Sequence, residues 1–200
     1  GMNQAVGENE RMIAELRNCV LNTRMMAIGP MFERYRRVIR DLCKDMGKKV
    51  DFRIEGGETE LDKTVIDKLS EPMIHLIRNS MDHGISTPQE RINNGKPETG
   101  NLTISATHVG AQVRISVEDD GQGLNSEVIL RKAKERNLVP ADVSLTDEQI
   151  NDLIFAPGFS TADNVSNVSG RGVGMDAVRR DVERLRGSVH AQSRSGYGTT

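Results

Sequence analysis

The chain has 200 residues, of which 36% are hydrophobic, 28% charged and 3% aromatic, with no tryptophan. This balance is typical of a soluble globular protein with one full domain and a smaller appendage, and it argues against a disordered chain. The net charge of −2 gives no broad positive field for nucleic acid, and no apolar run is long enough to span a bilayer. The two cysteines, Cys19 and Cys43, lack metal-ligand spacing and are expected to be reduced thiols.

The N-terminal segment, residues 8–47, is predicted to be helical. Apolar residues recur at helical spacing on both sides of Gly29-Pro30, which divides the segment into two pieces. The apolar face of the second piece could belong to a dimerising bundle or could pack on its own domain, and the pattern leaves both open. A strip of arginines on the same piece is predicted to be a solvated face; it consists of Arg34, Arg36, Arg37 and Arg40.

After Gly47 the pattern changes to mixed strands and helices. Strands are predicted over 50–54, 102–108, 113–118 and 188–193. Helices are predicted over 62–69, 72–83, 126–136, 149–155 and 175–185, with a boundary or kink near Ser70 because Pro72 interrupts the helical pattern. Thr87–Glu90 and Thr146–Gln149 are capping boxes. This order favours an α+β sandwich with helices layered on one face of a mixed sheet, and residues 156–174 form a long loop.

The first polar cluster lies on the predicted helix over 72–83. His75, Asn79 and His83 are spaced four residues apart and would share one face, with Asp82 beside them. A neutral asparagine oxygen suits Mg²⁺ when phosphates supply the other ligands. A solvated polar face explains the same pattern.

The second cluster follows the predicted strand over 113–118, which leads into Asp-x-Gly-x-Gly. The carboxylate of Asp120 would accept a hydrogen bond from the exocyclic amine of adenine and would repel the carbonyl oxygen of guanine. Gly121 and Gly123 would let the backbone approach a flat ligand. A plain acidic turn is the alternative interpretation.

Two further clusters flank the long loop. A glycine turn precedes the helix that begins near Met175, where backbone N–H groups and the helix dipole favour phosphate; it consists of Gly170, Arg171, Gly172, Val173 and Gly174. Upstream, Phe155 and Phe159 flank a Pro-Gly pair before Ser160 and Thr161. This segment is interpreted either as a lid that offers two hydroxyls to phosphate or as a loop anchored by two aromatic rings.

The order of the four clusters resembles the asparagine, first glycine, phenylalanine and second glycine boxes of the GHKL superfamily of ATPases and kinases. Residues 76–85, 95–97, 157–161 and 168–176 are similar to the CheA family of chemotaxis histidine kinases, and the resemblance covers nearly the whole chain. It implies a two-layer GHKL (Bergerat) α/β sandwich over 48–200, lacking a C-terminal strand. Residues 1–47 would be the end of a helical dimerisation domain with its linker.

The resemblance also implies roles for individual residues. Asn79 would bind Mg²⁺ with His75 beside it, and Arg78 and His83 would join them as catalytic residues. Asp120 would hold adenine, with Gly121 and Gly123 making room. The remaining nucleotide-binding residues would be Asp82, Lys132, Ser160, Thr161, Gly170, Arg171, Gly172, Val173 and Gly174.

The function implied by the resemblance is ATP-dependent protein-histidine kinase activity in two-component chemotaxis signalling. The γ-phosphate of Mg-ATP would pass to a histidine on a separate phosphoacceptor domain, in trans, and then to response regulators. The full-length protein would be a cytoplasmic dimer at membrane receptor arrays, reached through a C-terminal domain that binds chemoreceptor and coupling protein. By this resemblance, the family would continue beyond Thr200 into another strand and a receptor-coupling domain, and a first dimerisation helix would precede residue 1.

Two other functions remain compatible with the four clusters. A nucleotide-sensing module would bind ATP and change shape without transferring phosphate. A hydrolytic GHKL ATPase would use a glutamate one turn before Asn79 to activate water, but His75 occupies that position. The sequence therefore favours phosphate transfer over hydrolysis.

Overall fold

The computed structural model describes residues 12–13, 24–140, 142–159 and 174–200. The strands of these residues are β1 (Met25–Ala27), β2 (Val50–Glu55), β3 (Glu60–Asp62), β4 (Gly100–Val109), β5 (Gln112–Asp119), β6 (Ser193–Arg194) and β7 (Gly198–Thr199). The α-helices are α1 (Gly29–Met46), α2 (Lys63–Asn79), α3 (Pro88–Asn93), α4 (Ser126–Glu135), α5 (Asp147–Asp152) and α6 (Met175–Arg184). A π-helical turn covers Ser80–Gly84, and a 3₁₀ turn covers Leu153–Phe155.

The main sheet has five strands in the order β2-β4-β5-β7-β6. β2 runs parallel to β4, whereas the other neighbouring pairs are antiparallel. The mixed sheet and its helices confirm the predicted α+β class. A separate two-stranded sheet pairs β1 with β3, so the prediction that the helix continues through Ala27 is wrong.

Helices α1 and α2 pack on one face of the main sheet. Alternate residues of β4 (Leu102, Ile104 and Ala106) are buried beneath them, as the two-residue period of a strand requires. The apolar side of α1 contributes Met31, Phe32, Tyr35, Ile39 and Leu42 to the same core. Of the two arrangements that the sequence left open, α1 therefore packs on its own domain. The predicted division at residue 47 stays a prediction.

The outer face of α1 carries the predicted basic strip, and all four arginines are exposed. Arg36 pairs with Glu33 at 2.7 Å, and its guanidinium lies 5.3 Å from the centre of the Phe52 ring. The prediction of a solvated charged face is confirmed.

Helix α2 runs without interruption from Lys63 to Asn79, so of the boundary or kink predicted near Ser70 the boundary is wrong. Pro72 lies inside the helix and is fully buried. A proline in a helix interior removes one backbone hydrogen bond, but here its ring fills space in the core. The side chain of Asp62 caps the first turn by accepting a hydrogen bond from the Thr64 amide at 2.8 Å, as predicted.

The C-terminal strands form a hairpin whose position differs from the prediction over 188–193. Only Ser193 of that range lies in a strand, because pairing begins where the hairpin brings Thr199 opposite Ser193. Strand propensity alone does not reveal whether a partner lies within reach. Thr199 also pairs with Asp119, so the hairpin abuts the end of β5.

A second, smaller core lies beneath the segment that ends at Phe159; most of the predicted loop over 156–174 lies outside the described residues. This core buries Ile129, Ala133, Ile150 and Phe159, which come from α4, α5 and the turn after them. Both predicted capping boxes are present, at the starts of α3 and α5. Among the described residues, no helix combines the length and apolar character needed to cross a bilayer.

Candidate functional site

The end of α2 carries the first polar cluster. His75 and Asn79 are half-buried and lie one turn apart, whereas Arg78, Asp82 and His83 are exposed. The α-helix ends at Asn79 and continues as the π turn, in which the amide of Ile85 donates to the carbonyl of Ser80 at 2.8 Å. His83 therefore does not continue the α-helical face of the other two. Such π turns recur at functional sites in helices.

Asn79 connects this cluster to the last predicted motif. Its side-chain amide nitrogen donates to the sulfur of Met175, the first residue of α6. Gly174, which ends the predicted glycine turn, is the N-cap of α6. The asparagine thus lies beside a helix N-terminus, where unpaired backbone N–H groups and the helix dipole favour an anion. Its nitrogen is engaged with the sulfur, and its oxygen is the end of the amide that binds cations.

Asp119 closes the other side of the asparagine cluster. Asp119 is 5% exposed, and its carboxylate accepts the Gly121 amide at 3.0 Å. The backbone of Gly84 passes directly over it, so that a Cβ there would lie 2.9 Å from both carboxylate oxygens. Burial raises the pKa of Asp119 above its usual range.

Asp120, the predicted adenine ligand, occupies a different environment. Its Oδ1 accepts from Arg91 at 3.0 Å and from the Asn101 amide at 2.8 Å. Its Oδ2 accepts from Arg91 at 3.1 Å and from the Asn101 side chain at 2.7 Å. Burial favours the neutral acid, but the bonds from Asn101 and Arg91 outweigh it and lower the pKa of Asp120. Both oxygens are therefore engaged within the protein, which weighs against an adenine-binding role.

Gly121 and Gly123 make room for backbone. A Cβ at Gly121 would overlap the carbonyl of Gly84, which accepts a hydrogen bond from the Gln122 amide at 2.9 Å. Gly123 has φ of +72° and lies against the carbonyl of Arg194. The two glycines thus allow close approach to the π turn and to the C-terminal hairpin.

The predicted aromatic pair is buried, as an anchoring role requires. Phe155 and Phe159 are 2% and 5% exposed. The guanidinium of Arg179, on α6, lies 5.2 Å from the centre of the Phe155 ring. Lys132 is half-buried on α4 and takes part in an interaction there. The other predicted lid and phosphate residues lie outside the described residues: Ser160, Thr161, Gly170, Arg171, Gly172 and Val173.

Sequence reasoning missed four residues that build the site. Asp119 lies within the Asp-x-Gly-x-Gly motif, and its spacing from Gly121 and Gly123 was the available signal. Arg91 and Lys96 contact the loop after β5 from α3 and the turn that follows it. Lys48 donates to the backbone carbonyls of the π turn at Met81 and Asp82. Arg91, Lys96 and Lys48 lie far along the chain from the groups they contact, so local sequence patterns could not reveal these contacts.

Comparisons with known proteins agree with this arrangement. Residues 64–200 match the family described as histidine kinase-, DNA gyrase B- and HSP90-like ATPases. The chain is 48% identical to the chemotaxis protein CheA of Bacillus subtilis (strain 168) over 99% of its length. It is 47% identical to that of Klebsiella aerogenes over 98%. It spans 30% of the length of each of these relatives.

Solved structures share the fold at low identity. The catalytic domain of the histidine kinase ThkA has a TM-score of 0.53 at 16% identity, with 88% of both chains covered. ThkA in complex with the response regulator protein TrrA has a TM-score of 0.51 at 14% identity, covering 97% of this chain and 46% of that one. From its fold, the arrangement of its motifs and the family match, this chain belongs to the histidine kinase-, DNA gyrase B- and HSP90-like ATPases.

Proposed function

We propose that this chain binds Mg-ATP and donates the γ-phosphate to a histidine on a separate phosphoacceptor domain, as the catalytic part of a chemotaxis-type histidine kinase. The observation that carries the proposal is the close packing of Gly84 over the buried carboxylate of Asp119. It brings this carboxylate to the π turn that directly follows Asn79, whose amide in turn lies against the start of α6. An acceptor for the nucleobase, a neutral oxygen ligand for the metal and a helix N-terminus for the phosphates would then surround one site.

Adenine recognition is assigned to Asp119 and withdrawn from Asp120. When ionised, the Asp119 carboxylate can only accept hydrogen bonds, so it would pair with the exocyclic amine of adenine and repel the carbonyl of guanine. Because Asp119 is buried, water competes weakly for that bond. The full set of bonds at Asp120 supports the change of assignment.

The donor set suits a cation carried by the nucleotide. Among the described residues, no group of three or more histidine, cysteine, aspartate or glutamate side chains could hold a metal ion on its own. Mg²⁺ usually takes one or two protein ligands and completes its coordination with phosphates and water. Asn79 would supply one oxygen and His75, one turn earlier, a nitrogen. The bound ion would supply neutralisation of the charge that develops on the phosphates.

Phosphate transfer is proposed to depend on positioning. The acceptor imidazole is nucleophilic in its neutral form near pH 7, so it needs little help from a base. The N-terminus of α6, Arg78 and His83 would orient the triphosphate and the incoming imidazole. The absence of a glutamate at the position of His75 favours transfer over hydrolysis. Ser160, Thr161 and the glycine turn are proposed to complete the phosphate site, with Asp82 and Lys132 near the nucleotide.

The proposed partners are inferred from the proteins to which this chain is similar. The solved complex of ThkA holds a response regulator, and we extend such a partner to this chain as the recipient downstream of the acceptor domain. We also propose a cytoplasmic dimer linked to chemoreceptors and a coupling protein, because the similar proteins are named chemotaxis proteins.

Transfer of label from γ-labelled ATP to an added acceptor domain tests the proposal. We expect label on the acceptor histidine with Mg²⁺ and none with EDTA. Asn79→Ala should reduce transfer at least a hundredfold, whereas Asn93→Ala, at the exposed end of α3, should leave it unchanged. ATP binding without transfer would identify a sensing module, and phosphate release without acceptor labelling would identify a hydrolase.

A further inference from the structure

The loop after β5 is held from behind by a buried arginine. Arg91 is 2% exposed, and its guanidinium binds both carboxylate oxygens of Asp120 at 3.0 and 3.1 Å. The same group donates to the carbonyl of Asp120 at 3.2 Å and to that of Pro97 at 2.7 Å. This two-pronged geometry fixes direction as well as distance, which a single ammonium contact does not.

Two further residues fix the same loop. The ammonium of Lys96 donates to the carbonyls of Asp120 and Gly121 at 2.8 and 2.6 Å. The backbone of Asn101, on β4, makes two hydrogen bonds to Asp120: its amide donates to the Asp120 carboxylate at 2.8 Å, and its carbonyl accepts the Asp120 amide at 3.2 Å. Side chain and backbone of Asp120 are therefore held on several sides at once.

Asp119 and Asp120 are consecutive residues with opposite surroundings. Asp119 ends β5 and faces Ser80 and Gly84, whereas Asp120 faces Arg91 and Asn101. Side chains of successive residues at a strand end point to opposite sides, so fixing one fixes the direction of the other. A hydrogen bond that discriminates two bases tolerates little displacement of its acceptor.

We propose that Arg91 and Lys96 are positioning residues for purine selection: they hold Asp120 and the following peptide so that the Asp119 carboxylate meets the amine of adenine. The inference rests on the proposed function, because it assumes an adenine nucleotide in that site. The contacts of both residues run to the protein itself, at Pro97, Asp120 and Gly121. They would affect the orientation of the Asp119 carboxylate indirectly, by fixing the position of Asp120 in the loop.

The test measures dissociation constants for Mg-ATP and Mg-GTP, together with the melting temperature, for Asp120→Asn and Lys96→Met. Asp120→Asn keeps the size of the side chain but replaces one acceptor oxygen with an amide nitrogen. This nitrogen would face the hydrogen-bond donors of Arg91 or Asn101, and the bonds there would be lost. We expect the preference for ATP over GTP to fall at least tenfold. Lys96→Met keeps the aliphatic stem and the Arg91–Asp120 pair, and the preference should fall about threefold. All binding is measured at a temperature where the variant is folded.

The control is Asp51→Asn, which breaks an aspartate–arginine contact of 2.9 Å with Arg53 that is exposed on β2. It should leave the preference unchanged. If Asp120→Asn lowers the melting temperature but keeps the wild-type preference, the pair is purely structural and the proposal is overturned. If Asp120→Asn does not fold, Lys96→Met decides: an unchanged preference overturns the proposal. A wild-type protein without preference for ATP would instead refute the proposed function itself.

Discussion

The backbone of Gly84 packs directly over the buried carboxylate of Asp119, and a Cβ at Gly84 would lie 2.9 Å from both carboxylate oxygens. This contact joins the π turn after α2 to the end of β5, two elements separated by about 35 residues of chain. It forms one wall of the candidate site, because Asn79 directly precedes the π turn. Two assignments therefore depend on it: the base-recognising acid and the metal-binding amide.

Replacing Asp119 with asparagine should weaken ATP binding without unfolding the protein. The lost charge-assisted bond corresponds to about 1.5–3 kcal/mol, or roughly 10- to 150-fold in dissociation constant. An asparagine oxygen can still accept the Gly121 amide, and the cost of burying a charge disappears. The melting temperature of the free protein should therefore stay the same or rise. Titration calorimetry and thermal denaturation measure the two quantities.

Glu118→Gln is the matched control for this variant, since Glu118 is the exposed neighbour on β5. Glu118→Gln should change neither the affinity for ATP nor the melting temperature. A parallel fall in affinity and melting temperature for Asp119→Asn would indicate a structural role for that carboxylate and would contradict the adenine assignment.

The raised pKa of Asp119 predicts opposite pH trends for stability and for ATP affinity. Burial raises this pKa in the folded state, so the folded protein holds the proton at a higher pH than the unfolded chain does. The resulting stabilisation is complete below the carboxyl's ordinary pKa and is lost as pH rises through the raised one. ATP requires the ionised acceptor, so its affinity should fall as pH drops through the same raised value.

The Asp119→Asn variant isolates this effect, because the phosphates of ATP titrate equally in both proteins. Affinity measured against pH should show a carboxyl-dependent loss in the wild type that the variant lacks. Identical pH profiles for the two proteins would show that Asp119 does not titrate in the binding site.

Gly121→Ala should disturb both folding and binding. The added methyl group would overlap the carbonyl of Gly84, forcing the first-glycine-box loop away from the π turn. Overpacking of this kind costs about 2–3 kcal/mol. Because the position of Asp119 depends on the same loop, the dissociation constant for ATP should rise as well. Urea denaturation and nucleotide titration measure the two effects.

Gly110→Ala provides the contrast. Gly110 has φ of +63°, and a Cβ there meets nothing within 4 Å. The substitution should cost about 1 kcal/mol through backbone strain alone and should leave ATP binding unchanged. Equal effects of the two alanines on binding would remove the special role of the contact between Gly121 and Gly84.

Lys48→Met should destabilise the π turn. The ammonium of Lys48 donates to the carbonyls of Met81 and Asp82, groups that a methionine of similar length cannot satisfy. Loss of these bonds is expected to cost about 1–2 kcal/mol in urea denaturation. Lys49→Met removes only an exposed pair with Glu98 and should cost less than about 0.5 kcal/mol. Similar costs for both lysines would show that the turn does not depend on Lys48.

Local signals predicted much of the fold, and contacts between distant segments account for the errors. The capping boxes at Thr87 and Thr146 were read correctly because every group involved lies within four residues. Pro72 predicts a boundary or kink because its propensity is local, whereas the burial that accommodates it within the helix depends on distant residues.

The choice between Asp119 and Asp120 shows the same limit within the site. Both acids lie in one motif, and within the sequence only the spacing to Gly121 and Gly123 separates them. Arg91 and Asn101 engage one carboxylate, and Gly84 packs over the other; these partners lie 19 or more residues away. The contacts that give the two acids different surroundings form only when the fold is assembled.

The small sheet formed by β1 and β3 connects the start of α2 to the chain ahead of β1. The Lys63 amide donates to the carbonyl of Arg24 at 2.8 Å, and the Arg24 side chain contacts Asp62 at the first turn of the helix. A displacement of the chain ahead of β1 would therefore act on one end of a helix of 17 residues, about 25 Å long. Asn79 lies at its far end, so a displacement at the entrance of the domain would be carried along this one helix to the proposed phosphate site.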